Sequence, residues 1–154
     1  MSPTVIQELA AQIKRKNHAE AVQQELNLIH LRQRDAALAQ YFRDLSEELK
    51  MSVEIFREEL GSDGADLRYC CKQGKIDIGK TKNPTVWFML AKFPLFSGFR
   101  AEYSSRSATN RHGDPQRLDL ILRDVDEQWL LECEGRVQSV SEICQSIMQR
   151  LFTV

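Results

Sequence analysis

The stretch Gly61–Thr81, GSDGADLRYCCKQGKIDIGKT, divides the chain into two sequence patterns. Before it, apolar residues recur every three or four positions without a glycine or proline after Pro3, which predicts helix. After Ala65, apolar and polar residues alternate with period two, which predicts strands. Gly61 and Gly64 bound the loop that ends the helix. The stretch therefore predicts an α+β chain in which a helical segment precedes a sheet.

The helical segment is long for the size of the protein. Unbroken from Pro3 to Leu60, it would measure about 87 Å at about 1.5 Å per residue, whereas a compact globule of the remaining residues has a radius of gyration of about 12 Å. We therefore expect a break or bend, at Asn17-His18 or at Arg32–Asp35, and self-association through the uncovered apolar stripe. One bent helix and two helices both stay open, as does a helix folded back on its own domain. The residues expected at the interface between copies are Leu26, Ile29, Leu38, Phe42, Leu45 and Leu49.

The rest of the chain predicts an antiparallel sheet of five or six strands with a C-terminal helix packed on it. Short turns between the alternating runs imply hairpins, and a capping box at Ser139 and Glu142 begins the last helix. The run TVWFMLAKF is apolar on both faces, which predicts a central strand covered on both sides, with Trp87 and Phe88 in the core. We expect one domain over residues 1–154, with a helical packing segment at 1–60 and the sheet and last helix at 65–154. The expected strands are Asp66–Lys72, Lys75–Gly79, Thr85–Phe93, Phe99–Ala108, Arg117–Asp124 and Gln128–Val137.

The composition is that of an ordinary soluble protein, with 42% hydrophobic and 28% charged residues and a net charge of −1. No apolar run approaches about 18 residues, so no membrane span is predicted, and the first residues lack the order of a secretory signal. The four cysteines form neither a C-x-x-C pair nor a disulfide framework. We therefore expect reduced thiols, a cytoplasmic location and no cofactor.

The segment Gly74–Thr81, GKIDIGKT, fits the phosphate-loop pattern G-x-x-x-x-G-K-[ST]. A phosphate loop requires a preceding strand and a helix that begins at its Lys-Thr. Here the residues between the two glycines alternate like a strand, and Asn83-Pro84 prevents a helix from following. We interpret the match as coincidental and assign Gly74 to a hairpin turn.

A predicted hairpin at Arg117–Arg136, RLDLILRDVDEQWLLECEGR, collects charged residues on one face. With Asp126-Glu127 as the turn, Asp119 faces Glu134, and the opposite face is apolar and is predicted to be core. The interpretation that we favour is a solvent-exposed ladder of cross-strand ion pairs. Its acids are Asp119, Glu132 and Glu134, and its arginines are Arg117, Arg123 and Arg136.

The same acids resemble the metal-binding hairpin of the PD-(D/E)xK nuclease superfamily, in which an Asp on one strand and a Glu-x-Lys on the next hold a divalent ion that activates water. Here Glu134 stands at the Lys position, and Asp114-Pro115 reverses the order of the family's PD dipeptide. The resemblance implies a metal-dependent nuclease, or a degenerate relative, with Asp119, Glu132 and Glu134 as ligands.

The middle of the chain is basic, with ten Lys or Arg residues against three acids between Arg68 and Arg117. A positive surface with exposed aromatic rings suits an acidic protein, a small anion or a nucleic-acid backbone. In the alternative interpretation, the basic strands pair with acidic residues of the first helix, among them Glu47, Glu48, Glu54, Glu58 and Glu59. The candidate binding residues are Phe96, Arg100, Arg106, Arg111 and His112.

Together these observations predict a small, non-enzymatic, cytoplasmic binding or adaptor protein that forms a homodimer or a higher homo-oligomer. A metal-dependent nuclease is the alternative, and a nucleic-acid-binding regulator is the third candidate. The expected partners are further copies of the chain and an anionic or acidic molecule.

Overall fold

The computed structural model describes residues 2–107 and 113–153, and it confirms the predicted α+β class. A long N-terminal helix, α1 (Pro3–Leu60), is followed by a 3-10 turn (Gly61–Gly64), an antiparallel sheet and a C-terminal helix, α2 (Val140–Phe152). The chain divides into two compact units, Met1–Ala36 and Ala37–Val154. The strands are β1 (Arg68–Lys72), β2 (Lys75–Lys80), β3 (Thr85–Lys92), β4 (Gly98–Arg106), β5 (Gln116–Val125), β6 (Gln128–Cys133) and β7 (Arg136–Val137).

The helical hydrogen bonding of α1 continues through Asn17-His18 and through Arg32–Asp35, where a break or bend was predicted. The chain thus forms one helical element there rather than two. The apolar pattern shifts in these places, but no glycine or proline interrupts the backbone hydrogen bonds, so the shift does not end the helix. At the start, the Val5 amide donates to the Ser2 hydroxyl at 3.3 Å, which caps the first turn. No helix in the described part of the chain is long and apolar enough to cross a membrane.

The second part of α1, from Ala37 onward, belongs to the same compact unit as the sheet. Its apolar stripe packs into the core, and two tyrosines tie it to the sheet: the Tyr41 hydroxyl donates to the Trp129 carbonyl at 2.8 Å, and the Tyr69 hydroxyl donates to the Ser46 carbonyl at 2.9 Å. Burial raises the pKa of both tyrosines. This stretch of helix is therefore a structural part of the sheet unit.

Three of the residues predicted at an interface between copies are buried inside the chain. Leu38, Leu45 and Leu49 lie in its own core, and Phe42 packs half-buried against that core, with its ring centroid 6.1 Å from that of Phe99. The interface prediction is wrong for the three leucines because their stripe packs on the sheet of the same chain. Only Leu26 and Ile29 of the predicted set are exposed.

The seven strands lie in sequence order, and each pairs antiparallel with the next. Two of the predicted turns, Gln73-Gly74 and Asp126-Glu127, form with positive φ at both residues, as two-residue hairpins require. A third such turn, at Glu134-Gly135, divides the last predicted strand into β6 and β7. The sheet therefore has seven strands instead of five or six, because the glycine accepts a left-handed backbone in the middle of an alternating run.

The helices cover only one face of the sheet. On β3, Val86, Phe88 and Leu90 are buried, whereas Trp87, on the opposite face, is 43% exposed. The prediction that this strand is covered on both sides, with Trp87 in the core, is therefore wrong. Helix α2 packs on the covered face, as predicted, and its capping box forms, with the Glu142 amide donating to the Ser139 hydroxyl at 3.1 Å. Its buried residues are Ile143, Cys144, Ile147 and Leu151.

Candidate binding surfaces

The face of the sheet that the two helices leave uncovered in the described chain is named here the open sheet face. The strand register places the side chains of this face in rows that run across the strands. None of the charged side chains in these rows is buried. Seven cations and four acids share it, so it carries an excess of positive charge. The cations are Arg68, Lys72, Lys75, Arg100, Arg106, Arg117 and Arg123, and the acids are Asp77, Glu102, Asp119 and Glu132.

Arg100, a predicted binding residue, is held by other residues of the chain. Its Nε and Nη2 donate to the two carboxylate oxygens of Asp119 at 2.7 and 3.2 Å. Its guanidinium carbon lies 3.7 Å from the centre of the Phe93 ring and 5.7 Å from that of Phe96. The hydrogen bonds to Asp119 raise the pKa of Arg100. These contacts fix the guanidinium in position, so Arg100 is not a freely available charge.

The other predicted binding residues are not gathered in one place. Phe96 is half-buried, with its ring centroid 5.0 Å from that of Phe93, while its neighbour Leu95 is 84% exposed. Arg106 is exposed at the far end of β4 from Arg100. The predicted residues Arg111 and His112 lie outside the described residues. Of the predicted binding residues that lie in the described part of the chain, Phe96 and Arg100 are brought together and Arg106 is not.

The acidic hairpin keeps the predicted register along the whole pairing of β5 with β6. Val125 pairs with Gln128, and Ile121 pairs with Glu132. Glu134, however, lies in the turn between β6 and β7 and contacts Arg150 of α2, so the predicted pairing of Asp119 with Glu134 is wrong.

The acids of this hairpin are neutralised by arginines. Asp119 pairs with Arg100, and Glu132 forms an ion pair with Arg123, in which Oε2 lies 3.4 Å from Nε. Within residues 2–107 and 113–153, no group of three or more His, Cys, Asp or Glu side chains is placed to hold a metal ion. The three acids predicted as alternative metal ligands are therefore not brought together, and the geometry matches part of the predicted ion ladder.

An exposed tryptophan on the open sheet face is the feature that sequence reasoning missed. Trp87 lies in a row with Gly79 on one side and Ser104 on the other, and Arg68 follows Gly79 on β1. A Cβ added at Gly79 would meet only the Val86 carbonyl oxygen, at 3.9 Å, so the space beside the indole is open. The sequence contained a signal for this exposure. Neighbouring residues of a strand point to opposite faces, so Trp87 and Phe88 could not both lie on the face that the helices cover.

The lysine of the phosphate-loop match has a structural role. Lys80 is buried, and its Nζ lies 3.1 Å from an oxygen of Asp66 and donates to the Lys82 carbonyl at 3.0 Å. Asp66 also accepts from the backbone amides of Lys82 and Thr81, at 2.6 and 3.1 Å. These donors, the Lys82 amide first, hold the pKa of Asp66 well below its usual range. The predicted hairpin turn at Gly74 is confirmed, and the match lies on that turn and on strand β2 rather than between a strand and a helix.

A groove lies between the second part of α1 and helix α2, and it is named here the acidic groove. It has a volume of about 370 Å³ and a largely apolar floor between two glutamates, Glu48 and Glu59. Glu48 accepts a hydrogen bond from the Ser141 hydroxyl at 3.1 Å. The residues that line the acidic groove are Glu48, Ser52, Ile55, Phe56, Glu59, Ser141, Gln145 and Met148.

The acids of α1 do not pair with the basic strands, contrary to the alternative interpretation of the basic middle. Among the described residues, ion pairs of the sheet cations join them to acids of the sheet or of the loop before it, and the α1 glutamates form none. The reason is geometric, because most of the sheet cations lie on the open sheet face, whereas the part of α1 from Ala37 onward packs on the other face. The unpaired glutamates are Glu47, Glu48, Glu54, Glu58 and Glu59.

Residues 3–36 of α1, named here the apolar helix segment, are exposed almost throughout. Within this segment Ala11 and Arg34 are half-buried, and every other residue is exposed. Nine large apolar side chains are 42–60% exposed. They are Val5, Ile6, Leu9, Ile13, Val22, Leu26, Leu28, Ile29 and Leu31.

The four cysteines differ in how accessible their thiols are. All four are free thiols, as expected, and Cys133 and Cys144 are buried in the core. Burial, with a smaller contribution from Glu48, raises the pKa of Cys144 to about 12, and burial also raises the pKa of Cys133.

Comparisons with protein-family models, with curated proteins and with solved structures found no match to this chain.

Proposed function

We propose that the chain is a non-enzymatic binding or adaptor protein of the cytoplasm that self-associates through its apolar helix segment and presents its open sheet face to an anionic or acidic partner. The observation that carries the proposal is the exposure of nine large apolar side chains within residues 3–36.

The physical reason for self-association is that a helix gains most of its stability from packing of its apolar residues. An extended set of exposed apolar side chains marks an interaction site, whereas single exposed residues need no explanation. Within residues 2–36, no other residue covers these side chains. A partner that covers them would stabilise the helix and remove apolar surface from water.

The open sheet face supports the second part of the proposal. Its seven cations exceed its four acids, and an excess of positive charge attracts anionic partners. Trp87 adds an exposed aromatic ring beside the gap above Gly79, where a flat or apolar group of a partner has room. The four free thiols agree with a reducing compartment.

The test of self-association is light scattering on the full chain over a wide range of concentrations. We expect a mass above that of the monomer, which decreases on dilution. Leu26→Ser should weaken association, whereas Leu95→Ser, which changes an equally large apolar residue outside the segment, should not. A wild-type chain that stays monomeric at high concentration would contradict the proposal.

The test of the open sheet face is binding of anionic probes, with heparin, poly-glutamate and a single-stranded oligonucleotide compared under increasing salt. Binding that weakens with salt and is lost in Arg68→Glu and Trp87→Ala would support the face as the site. The matched control is Arg57→Glu, an exposed arginine on α1.

A nucleic-acid-binding regulator is the second candidate, and the exposed Trp87 among cations is the observation that favours it. Preference for the oligonucleotide over the other two anions would select it. Equal binding of all three would leave the protein as a module for anionic partners in general.

A further inference from the structure

We propose that the outer edge of strand β1 binds an extended acidic peptide segment, which joins the sheet as an additional antiparallel strand. Two acids of this segment, four positions apart, lie on the open sheet face beside the cations of β1. The proposal deepens the second part of the proposed function. It rests on an acidic partner for that face and names the contact through which the partner binds.

Strand β1 is the edge of the sheet that can accept a further strand. In the described chain it pairs with β2 on one side and with no strand on the other. The opposite edge, β7, has only two residues, and very short edge strands resist the addition of another strand. β1 has five residues, of which Arg68, Cys71 and Lys72 are exposed. It therefore offers the longer of the two edges, and an accessible one.

The register of the hairpin decides which backbone groups of β1 face outward. A two-residue turn makes the residues that flank it a hydrogen-bonded pair, and such pairs then alternate along the hairpin. Counting back from the turn, Lys72, Cys70 and Arg68 bond to β2 through their backbone. The N–H and C=O groups of Tyr69 and Cys71 therefore point away from the sheet. Outside the strand pairing, no backbone hydrogen bond between described residues uses these four groups.

The cations of β1 on the open sheet face select an acidic strand. Arg68 and Lys72 lie at the two ends of β1, and neither forms an ion pair with a described residue. An antiparallel strand that pairs along all of β1 sets one residue opposite Lys72 and another, four positions later, opposite Arg68. Opposite charges directly across a strand pair stabilise it, so Glu or Asp suits both positions.

A second copy of β1 is a poor occupant of the same edge. In the antiparallel register that pairs all five residues of two copies, Arg68 of each lies opposite Lys72 of the other. Like charges directly opposite each other destabilise a strand pair, and cations on an edge strand prevent such self-pairing. The two cations thus disfavour the chain itself and favour an acidic strand, which is the complementarity that identifies the partner.

The experiment uses the capped peptide Thr-Glu-Val-Ala-Val-Glu-Thr, whose binding to the full chain is measured by NMR titration at constant ionic strength. In the proposed pairing, the two valine amides face Cys71 and Tyr69, and the two glutamate amides face away. We expect N-methylation of both valines to weaken binding by about tenfold or more, because it removes two donors to β1. N-methylation of both glutamates is the matched control and should have little effect.

Two variants at one position test the outward backbone of the protein. Cys71→Pro removes an outward amide, and proline is tolerated on the free side of an edge strand. Cys71→Val also removes the thiol but keeps the amide. We expect the peptide to lose binding to Cys71→Pro and to keep it with Cys71→Val. Circular dichroism and thermal melting check that both variants fold, and the methylated peptides decide the same point if Cys71→Pro does not.

Charge reversal tests the two cations. Arg68→Glu with Lys72→Glu should weaken peptide binding by about tenfold or more, and a peptide with lysines in place of the glutamates should bind this variant instead. The matched control is Arg106→Glu with Arg117→Glu, which reverses two exposed cations of the open sheet face on β4 and β5. We expect the control to bind the original peptide about as well as the wild type.

The outcomes distinguish the edge contact from the proposed function. If the methylated peptides bind equally, or if no peptide binds, the edge contact is overturned, while anion binding that depends on Trp87 would leave the proposed function standing. If the peptide pairs as expected but heparin and poly-glutamate do not bind, the edge contact stands without a general anion surface. Slower hydrogen exchange of the Tyr69 and Cys71 amides on raising the protein concentration, without peptide, would place a second copy at the edge and overturn the proposed partner.

Discussion

Arg100 binds both carboxylate oxygens of Asp119 across strands β4 and β5, at 2.7 and 3.2 Å. The same guanidinium lies against the ring of Phe93. A bidentate pair of this kind uses the oxygens that a metal ion would need. Of the two interpretations of the acidic hairpin, a nuclease-like metal site and an ion ladder, this contact matches the ladder at Asp119.

The first prediction concerns divalent metals. Because Arg100 occupies the Asp119 carboxylate, we expect Mg²⁺ and Mn²⁺ to leave the melting temperature of the wild type unchanged. Arg100→Met, which frees the carboxylate, serves as the comparison in thermal melting. A metal-dependent rise in the wild type that disappears in Asp119→Ala would restore the nuclease interpretation.

The second prediction concerns the ion pair of the buried Lys80 with the half-buried Asp66. The pKa of Asp66 is lower in the folded chain than in the unfolded one, so its stabilising effect is complete above the unfolded pKa of about 3.9 and is lost as the pH falls toward the folded value. Asp66→Asn should therefore lower the melting temperature by an amount that is constant above about pH 5 and shrinks below about pH 4.

The control for this experiment is Asp63→Asn, which changes an exposed aspartate in the preceding 3-10 turn. We expect it to have little effect on the melting temperature at any pH. A stability difference between the wild type and Asp66→Asn that grows on acidification would contradict the prediction.

The third prediction separates core from interface along α1. Leu45→Ala removes a fully buried side chain, so we expect the free energy of unfolding to fall by about 2–5 kcal/mol. Leu26→Ala, on the apolar helix segment, should reduce self-association in light scattering with a much smaller effect on unfolding of the sheet unit. Urea denaturation at low protein concentration measures the difference, and equal losses for both variants would refute it.

The fourth prediction concerns thiol reactivity. The pKa of Cys144 is raised to about 12 by burial, and only the thiolate is nucleophilic, whereas Cys71 is exposed. Near pH 8, a thiol-specific reagent should label Cys71 quickly and leave Cys133 and Cys144 unlabelled until the protein is denatured. Mass spectrometry of time points identifies the sites, and early labelling of Cys144 would contradict the described core.

Much of the fold could be predicted because its signals are local. The pairing of Val125 with Gln128 follows from a two-residue turn, and the Ser139–Glu142 capping box follows from residues three positions apart. The turn at Glu134-Gly135 was not predicted. The run that contains it alternates like a strand, and its single glycine did not outweigh that alternation as a signal.

The candidate surfaces could be predicted less well because they depend on distant contacts. Arg100 was predicted to be available for a ligand, but its partner Asp119 lies on the next strand of the sheet. Trp87 was predicted to be core because its run is apolar on both faces, and the sequence does not state which face the helices cover. Leu45 and Leu26 are both members of apolar stripes, and only packing separates buried from exposed.

The sequence by itself determined the order of the elements, most of the strand register and the helix caps. Hydrophobic periodicity, glycine and capping residues act through neighbours along the chain, so they can be identified without a structure. Only the tertiary structure decided that α2 and the part of α1 from Ala37 onward pack on one face of the sheet, which arginine neutralises which acid, and that a groove opens between these two helical parts. These features join residues far apart in sequence, and the burial that determines them depends on the whole packed unit.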